Sequence, residues 1–235
     1  MAIAPTYSNA YTFSTQANLG ELVLNSFARC GIRRTMLTAE HMQDARVSAN
    51  LWLSSTSNSQ PNLWLVDLQE LTLDEGVSTY ELDPETILIL DAYRSTTSGG
   101  QTTDLIMFPI SRTDYASFSN KTTEGLPTVF WFQRDITPKV TVWQPPDANG
   151  PYTFKYYRVR QAMDANLQGG LNVEIPYRFL DAFAAGLAAR LAEIYAPDRY
   201  DKLAVSAEKA WNLAAIQDEE NVQVYISPGI AGYYR

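Results

Sequence analysis

Residues with reactive side chains are few in this chain, and they do not converge on one motif. His41 is the single histidine and Cys30 the single cysteine among 235 residues. A triad of the Ser–His–Asp type would have to include His41, which begins a predicted helix with no serine or cysteine nucleophile signature nearby. This placement predicts a histidine on the surface or in a helix cap. Cys30 lies on the apolar face of another predicted helix, which indicates a small core residue.

The sequence also contains no motif for a metal site or a phosphate-binding site. With one histidine and one cysteine, a zinc site would need two or more carboxylates in a pattern that the chain does not contain. Gly99-Gly100 and Gly169-Gly170 have the composition of turns, not of a phosphate-binding loop. Acidic residues on predicted helices fit solvated positions: Glu40, Asp44, Asp181, Glu193 and Glu208. We therefore predict that the protein is not an enzyme and holds no cofactor and no metal.

The composition favours a structural role. A net charge of −8 argues against a sequence-independent grip on nucleic-acid phosphates, which needs clustered lysine and arginine. It is compatible with a surface past which DNA slides without binding. The 14 Tyr, 9 Phe and 5 Trp indicate contact surface beyond one compact core. The chain has no signal-peptide pattern and no apolar run of membrane-spanning length, so we expect a soluble protein made in the cytosol.

Helices are predicted at both ends of the chain. Residues 16–30 carry apolar residues at helical spacing, and a second helix has Thr38 as its N-cap and ends in the loop-like stretch 54–61. Pro197 separates two further helices within 176–220. Their apolar faces are Leu180, Phe183, Leu187, Leu191 and Ile194 in the first, and Leu203, Ala207, Ala210 and Ala214 beside Trp211 in the second. A row of small residues permits close approach to another helix, of this chain or of a neighbouring copy: Ala184, Ala185, Gly186, Ala188 and Ala189.

Between the helix pairs, the pattern changes to strands. The predicted strands are 63–66, 79–82, 87–90, 105–110, 129–133, 139–144 and 152–160. Residues 95–103 have the composition of a polar loop with Gly99-Gly100 at a hairpin tip, and 114–120 fit a short helical turn.

The element order predicts an α+β fold. Amphipathic helices of this length are marginal alone, so we expect the two terminal pairs to pack as one antiparallel α-helical bundle. The bundle domain is discontinuous, from residues 1–60 and 161–220, and residues 61–160 form an inserted antiparallel β domain. An extended N-terminal arm, 1–13, and a C-terminal tail, 221–235, complete the chain.

The arm and the tail are the predicted docking segments. The tail is β-prone and too apolar to remain bare in water, so it either folds back as a strand or adds to a partner as one, and we favour the partner. The arm either frays or orders against a partner. The predicted partner-docking residues are Val222, Val224, Tyr225, Ile226, Tyr233 and Tyr234 of the tail, with Tyr7 and Tyr11 of the arm.

Three segments then occur in a recognisable order. Residues 20–55 hold two helices joined by a short link. Residues 126–160 run through an aromatic strand and Arg134-Asp135 to Trp143, a Pro-Pro-Asp turn and a tyrosine-rich strand, and residues 176–197 follow as a closing helix. In this order, over about residues 16–220, the chain resembles the head-to-tail adaptor (connector) proteins of tailed phages. The likeness is to the podovirus tail tubular protein A or packaged-DNA-stabilisation class in particular.

The resemblance implies a structural virion protein of the phage neck. It implies a homo-oligomeric adaptor ring, expected to have twelve copies, that joins the portal protein to the tail nozzle or tube protein. Double-stranded DNA would pass through the lumen without specific binding, and acidic charge on the lumen wall would repel it. The resemblance also implies a helical bundle for ring packing, a β domain toward the nozzle, no membrane contact, no catalysis and no cofactor.

A second interpretation is a β-rich carbohydrate- or receptor-binding accessory module. Its aromatic residues could stack on sugars, or they could belong to the core and to interfaces. These residues are Trp131, Trp143, Tyr152, Tyr156 and Tyr157.

Overall fold

The computed structural model describes residues 19–59, 63–165, 173–216 and 218. This part of the chain is α+β, as predicted, with five α-helices and one curled seven-stranded sheet. The helices are α1 (Leu19–Cys30), α2 (Ala39–Ser59), α3 (Arg112–Ser117), α4 (Leu180–Tyr195) and α5 (Tyr200–Ala215). The strands are β1 (Val66–Leu73), β2 (Thr79–Glu81), β3 (Thr86–Ser98), β4 (Gln101–Pro109), β5 (Val129–Gln133), β6 (Lys139–Trp143) and β7 (Tyr152–Arg160).

The sheet has the strand order β1-β7-β3-β4-β5-β6-β2. Neighbouring strands are antiparallel except β4 and β5, which pair in parallel through Phe108↔Val129 and Pro109↔Phe130. The prediction of a wholly antiparallel domain is wrong at this pair, because the connection 110–128 is long enough to return the chain in the parallel direction. The curled sheet therefore has two antiparallel halves, β1-β7-β3-β4 and β5-β6-β2, which are joined by the parallel pair of β4 and β5.

One face of the sheet encloses an apolar core. Phe130, Phe154 and Met107 are each at most 2% exposed. The centroid of the Phe154 ring lies 5.4 Å from that of Phe130 and 5.2 Å from that of Tyr156. Because side chains alternate along each strand, the opposite face of β1, β7, β3 and β4 is left outside this core.

α4 is the centre of the helical part of the chain. It packs against α1, α2 and α5, and its Phe183 and Leu187 are completely buried. The five small residues of α4 between positions 184 and 189 are buried against these helices of the same chain, so they are not free to pack on a neighbouring copy. The indole of Trp52 lies directly on Gly186: a Cβ at that position would meet Trp52 Nε1 at 2.0 Å.

Local hydrogen bonds set the ends of α1 and α2. Gly31 has φ 87° and ends α1, with its N–H donating to Ala28 O and the Ile32 N–H donating to Phe27 O, both at 3.0 Å. These are the paired bonds of a Schellman motif. Thr38 caps α2 as predicted, since its Oγ1 accepts from the backbone N–H of His41 at 3.4 Å.

α2 continues through Ser59, so the predicted loop 54–61 is wrong over its first six residues. The hydroxyl of Ser55 donates to Trp52 O and that of Thr56 donates to Leu53 O, both at 2.8 Å. Bonds of this kind satisfy the hydroxyls inside the helix, which the loop-like composition alone does not indicate.

Other boundaries also differ from the predicted ones. Leu63–Leu65 is a 3-10 turn, and the strand begins at Val66, where pairing with β7 begins. β3 and β4 extend through most of the predicted polar loop, because their threonines face each other, as the 3.1 Å contact between the Thr97 and Thr102 hydroxyls illustrates. The hairpin tip at Gly99-Gly100 is confirmed. α3 begins two residues earlier than predicted, and Ile194 is 56% exposed and lies outside the buried face of α4.

An aromatic junction connects the helices to the sheet. Trp64, just before β1, lies 4.6 Å from Phe179 between ring centroids, and Phe179 lies 5.3 Å from Trp211 of α5. The Arg178 guanidinium lies 5.9 Å from the centroid of Trp64 and forms an ion pair with the buried carboxylate of Asp218. α5 ends at Ala215, so Asp218 lies beyond the end of the helix. Its carboxylate is paired with Arg178.

A buried arginine joins three segments of the sheet. Arg158 of β7 is 4% exposed; its Nε donates to Asp67 Oδ1 at 2.8 Å, and its Nη1 lies 3.1 Å from Asp83 Oδ2. Nη1 also donates to Thr86 Oγ1 at 3.0 Å. The hydrogen bond from Arg158 lowers the pKa of Asp67, and the Glu85 backbone N–H together with Arg158 lowers the pKa of Asp83.

Because Trp52 lies on Gly186, replacing this glycine by alanine should lower the stability of the protein instead of raising it. Gly186→Ala should destabilise the protein by about 1–3 kcal/mol through overpacking, although glycine to alanine in an open helix usually stabilises by about 0.5–1 kcal/mol. Urea denaturation measures the change. In the background of Trp52→Phe, whose smaller ring leaves room for the methyl group, Gly186→Ala should cost less; an equal cost in both backgrounds would contradict the assigned contact.

The lowered pKa of Asp67 predicts a pH dependence of stability. A carboxyl whose pKa is lower in the folded state stabilises the fold above its unfolded pKa of about 3.9. The stabilisation disappears as the pH falls through the folded pKa. The free energy of unfolding of the natural protein should therefore fall more steeply below about pH 4 than that of Asp67→Asn, measured by urea denaturation. Parallel pH profiles for the two proteins would disprove the assignment.

Candidate docking surfaces

His41 and Cys30 both have structural positions. His41 Nδ1 lies 2.6 Å from Thr38 Oγ1 in the cap of α2, and its ring stacks on Tyr195 with 4.6 Å between centroids. The hydroxyl of Tyr195 donates to Asp44, and this bond is the main reason why the pKa of Tyr195 is raised to about 12. Cys30 Sγ donates to Ala188 O at 3.3 Å, and burial raises the pKa of the thiol. The predictions of a capping histidine and a core cysteine are confirmed.

The described residues contain no group of three or more His, Cys, Asp or Glu side chains that could hold a metal ion. Among the helices described, none has the length and apolar character that crossing a membrane requires.

The predicted docking residues lie outside the described part of the chain. This holds for Val222, Val224, Tyr225, Ile226, Tyr233 and Tyr234 of the tail and for Tyr7 and Tyr11 of the arm.

The aromatic residues of the sugar-binding interpretation are mostly covered by the chain itself. Tyr152 and Tyr156 are buried in the core of the sheet. The ring of Trp143 stacks on Phe118 with 4.2 Å between centroids, and its Nε1 donates to Asn120 O at 2.9 Å. Trp131 packs on Tyr115 of α3. Tyr157, which is 41% exposed, is the member of this set that is most accessible to solvent.

The outer sheet face, defined as Leu68, Tyr93, Ile106, Phe108 and Tyr157, is apolar and open to solvent. The strand register places Leu68 opposite Tyr157, and Tyr93 opposite Ile106. Leu68 and Tyr157 are each 41% exposed, Ile106 61% and Phe108 60%. These exposed apolar side chains lie on β1, β7, β3 and β4, with Asp91 and the Glu70–Lys155 pair among them. Exposed apolar side chains grouped on one face are typical of an interaction surface.

The charged residues around the outer sheet face are mainly acidic. Asp91 lies opposite Tyr157, Asp104 lies two residues before Ile106 on β4, and both are exposed. Neither has an ion-pair partner among the described residues. Glu70 on the same face binds Lys155, with 2.7 Å between Oε1 and Nζ, and this bond raises the pKa of Lys155. The unpaired charge on this face is therefore negative.

A second exposed apolar surface runs along α5. The α5 stripe, defined as Lys202, Val205, Lys209, Leu213 and Ile216, has spacings of three and four residues and so forms one line along the helix. Val205 is 50% exposed, Leu213 72% and Ile216 69%. The stripe lies opposite the face that packs on the helical core through residues such as Leu203 and Trp211.

Sequence reasoning missed both surfaces, although each has a signal. Residues 105–110 are apolar at adjacent positions without alternation, which indicates a strand with two apolar faces, and only the Met107 face enters the core. On α5, Val205, Leu213 and Ile216 fall opposite the predicted buried face. A helical projection finds them, but only the structure shows that they are exposed among the described residues.

Comparison with known proteins places most of the chain in one family. The family model described as SU10 adaptor protein matches residues 40–231. The match includes the whole sheet and α5, and therefore both exposed surfaces. No curated protein matches the chain with significant similarity.

Adjacent residues on the two faces of β4 should respond differently to the same substitution. Ile106→Ser should leave the free energy of unfolding within about 0.5 kcal/mol of the natural value, as surface substitutions usually do. Met107→Ser, its matched control in the core, should cost about 2–5 kcal/mol. Urea denaturation measures both values. A large loss for Ile106→Ser would mean that this side chain stabilises the monomer and is not available for docking.

Proposed function

Because the chain belongs to the SU10 adaptor protein family, and so is a structural adaptor of the phage head-to-tail type, we propose that it forms a ring that joins the portal to the tail. The ring encloses part of the channel through which the genome passes. The observation that carries this proposal is the family match over residues 40–231, which covers both exposed apolar surfaces.

A ring requires two different surfaces on each subunit. In a heterologous, head-to-tail contact, one patch of a subunit binds a different patch of the next, and closure of the rotation gives a ring. The outer sheet face and the α5 stripe are two such patches, on separate elements of the chain. Twelve copies are our proposal for the number of subunits, in keeping with the resemblance to podovirus adaptors.

The terminal segments are proposed to dock the ring on its neighbours. Residues 221–235 and 1–13 carry the apolar docking residues already named, at the two ends of the chain. We assign the tail to the portal or the next subunit. The helices, packed as one antiparallel bundle of residues 1–60 and 161–220, form the body of the ring. The β domain, residues 61–160, is directed toward the nozzle or tube protein of the tail.

The charge of the chain fits a channel through which DNA moves. With 26 acidic against 18 basic residues, the ring carries a net negative field that repels the phosphate backbone and limits friction. The protein acts as a virion component without catalysis, cofactor or membrane contact, and double-stranded DNA passes without specific binding.

Assembly on the portal tests the function. The purified chain, mixed with the portal oligomer of the same phage, should bind as a closed ring of twelve copies, counted by native mass spectrometry and seen by electron microscopy. A variant that lacks residues 221–235 should lose portal binding while it keeps its circular dichroism and melting temperature.

Two outcomes would contradict the proposal. Failure of the natural protein to bind the portal would exclude the adaptor function proposed here. Unchanged portal binding by the shortened variant would exclude the role assigned to the tail and leave the ring in place. Binding to immobilised glycans that is lost in Trp143→Ala, with folding intact, would favour the carbohydrate-binding alternative instead.

A further inference from the structure

The outer sheet face and the α5 stripe are both apolar and carry charges of opposite sign. We infer that the outer sheet face of one copy receives the α5 stripe of the next copy, and that this helix-on-sheet contact is the subunit interface of the ring. The inference rests on the proposed ring for its biological setting, but the contact can be tested in solution without any partner.

The shapes of the two surfaces fit a layered contact. The α5 stripe is a narrow line of side chains on one side of a 16-residue helix. The outer sheet face is a broad surface across β1, β7, β3 and β4, with Ile106 and Phe108 projecting at one side and Leu68 and Tyr157 at the other. A helix with one apolar stripe and a sheet with one apolar face are the elements that pack as two layers within domains.

The charges decide which surfaces meet. Lys202 and Lys209 lie within the α5 stripe, are exposed, and have no ion-pair partner among the described residues. Asp91 and Asp104 on the outer sheet face are likewise exposed and form no ion pair among the described residues, although Asp104 is one of the charges that raise the pKa of Lys155. Placing the stripe on the sheet brings two ammonium groups that form no ion pair to a face whose net charge is negative, so opposite charges meet around an apolar centre.

The same charges disfavour the symmetric alternatives. Two outer sheet faces in contact would bring the unpaired carboxylates of both copies together. Two α5 stripes in contact would bring four lysines together. Like charges across an interface suppress such pairings. The pairing of unlike surfaces is therefore favoured, and it is the type of contact that closes into rings.

A mixing experiment tests whether unlike surfaces meet. Ile106→Asp should prevent binding through the outer sheet face and leave the α5 stripe intact. Leu213→Asp should prevent binding through the α5 stripe and leave the outer sheet face intact. Each variant alone should be monomeric by sedimentation velocity, with self-association weakened about 30-fold or more, as expected for a central interface residue. Mixed in equal amounts, they should form a one-to-one heterodimer and nothing larger, because each partner contributes one intact surface.

A charge-exchange series is the second test. Asp91→Lys with Asp104→Lys reverses the sheet charges, and Lys202→Glu with Lys209→Glu reverses the stripe charges. Each double variant alone should self-associate about tenfold more weakly or worse, since its two surfaces now repel. A chain that carries all four changes should regain natural self-association. These four positions are exposed, so melting temperatures near the natural value verify that folding is intact.

Three results would overturn the inference. The first is a natural protein that stays monomeric up to about 1 mM, where even a contact with a dissociation constant of about 1 mM is substantially occupied. The second is a mixture of the two aspartate variants that remains monomeric. The third is a chain with all four charge substitutions that self-associates no better than either of the two double variants.

The outcomes separate this inference from the proposed function. If the aspartate variants still form rings on the portal, the helix-on-sheet interface is wrong and the adaptor function remains. If the heterodimer forms but the natural protein does not bind the portal, the interface is right and the proposed function is wrong.

Discussion

The structure depends on the burial of α4. This helix is apolar or small at nearly every position, and one neighbour cannot cover it, so α1, α2 and α5 all pack on it. Since α1 and α2 precede the sheet and α4 and α5 follow it, burying α4 brings remote parts of the chain together. The closest of these contacts, Trp52 on Gly186, tolerates no side chain, which explains a glycine in the middle of a helix despite its cost there.

With α4 and the inner face of the sheet covered, exposed apolar side chains are left on one face of the sheet and along α5, among other surface positions. The outer sheet face and the α5 stripe are both on the surface, and neither stabilises the described fold in an evident way. Each also carries charged groups without an ion-pair partner among the described residues, carboxylates on the sheet and ammonium groups on the helix. A structural adaptor whose function is contact with other proteins accounts for such surfaces, whereas an isolated monomer does not.

Much of the fold can be predicted from the sequence because it depends on periodic patterns and local chemistry. The α+β class, the Thr38 cap, the buried Cys30 and the Gly99-Gly100 hairpin tip follow from spacing and residue type. The continuation of α2 through Ser59 does not, because it depends on serine and threonine hydroxyls bonding back to the helix. The parallel β4–β5 pair and the two open surfaces depend on which distant segments meet, and a single pattern along the chain does not contain that information.

We propose that each subunit presents a helix to the sheet of the next subunit in a ring at the phage neck. Electron cryomicroscopy of the neck in intact virions tests this claim most directly, at a resolution that separates strands. We expect a ring beneath the portal in which Leu213 and Ile216 of one subunit lie against Ile106 and Phe108 of its neighbour. A ring in which these residues face solvent, or the absence of the chain from the neck, would contradict it.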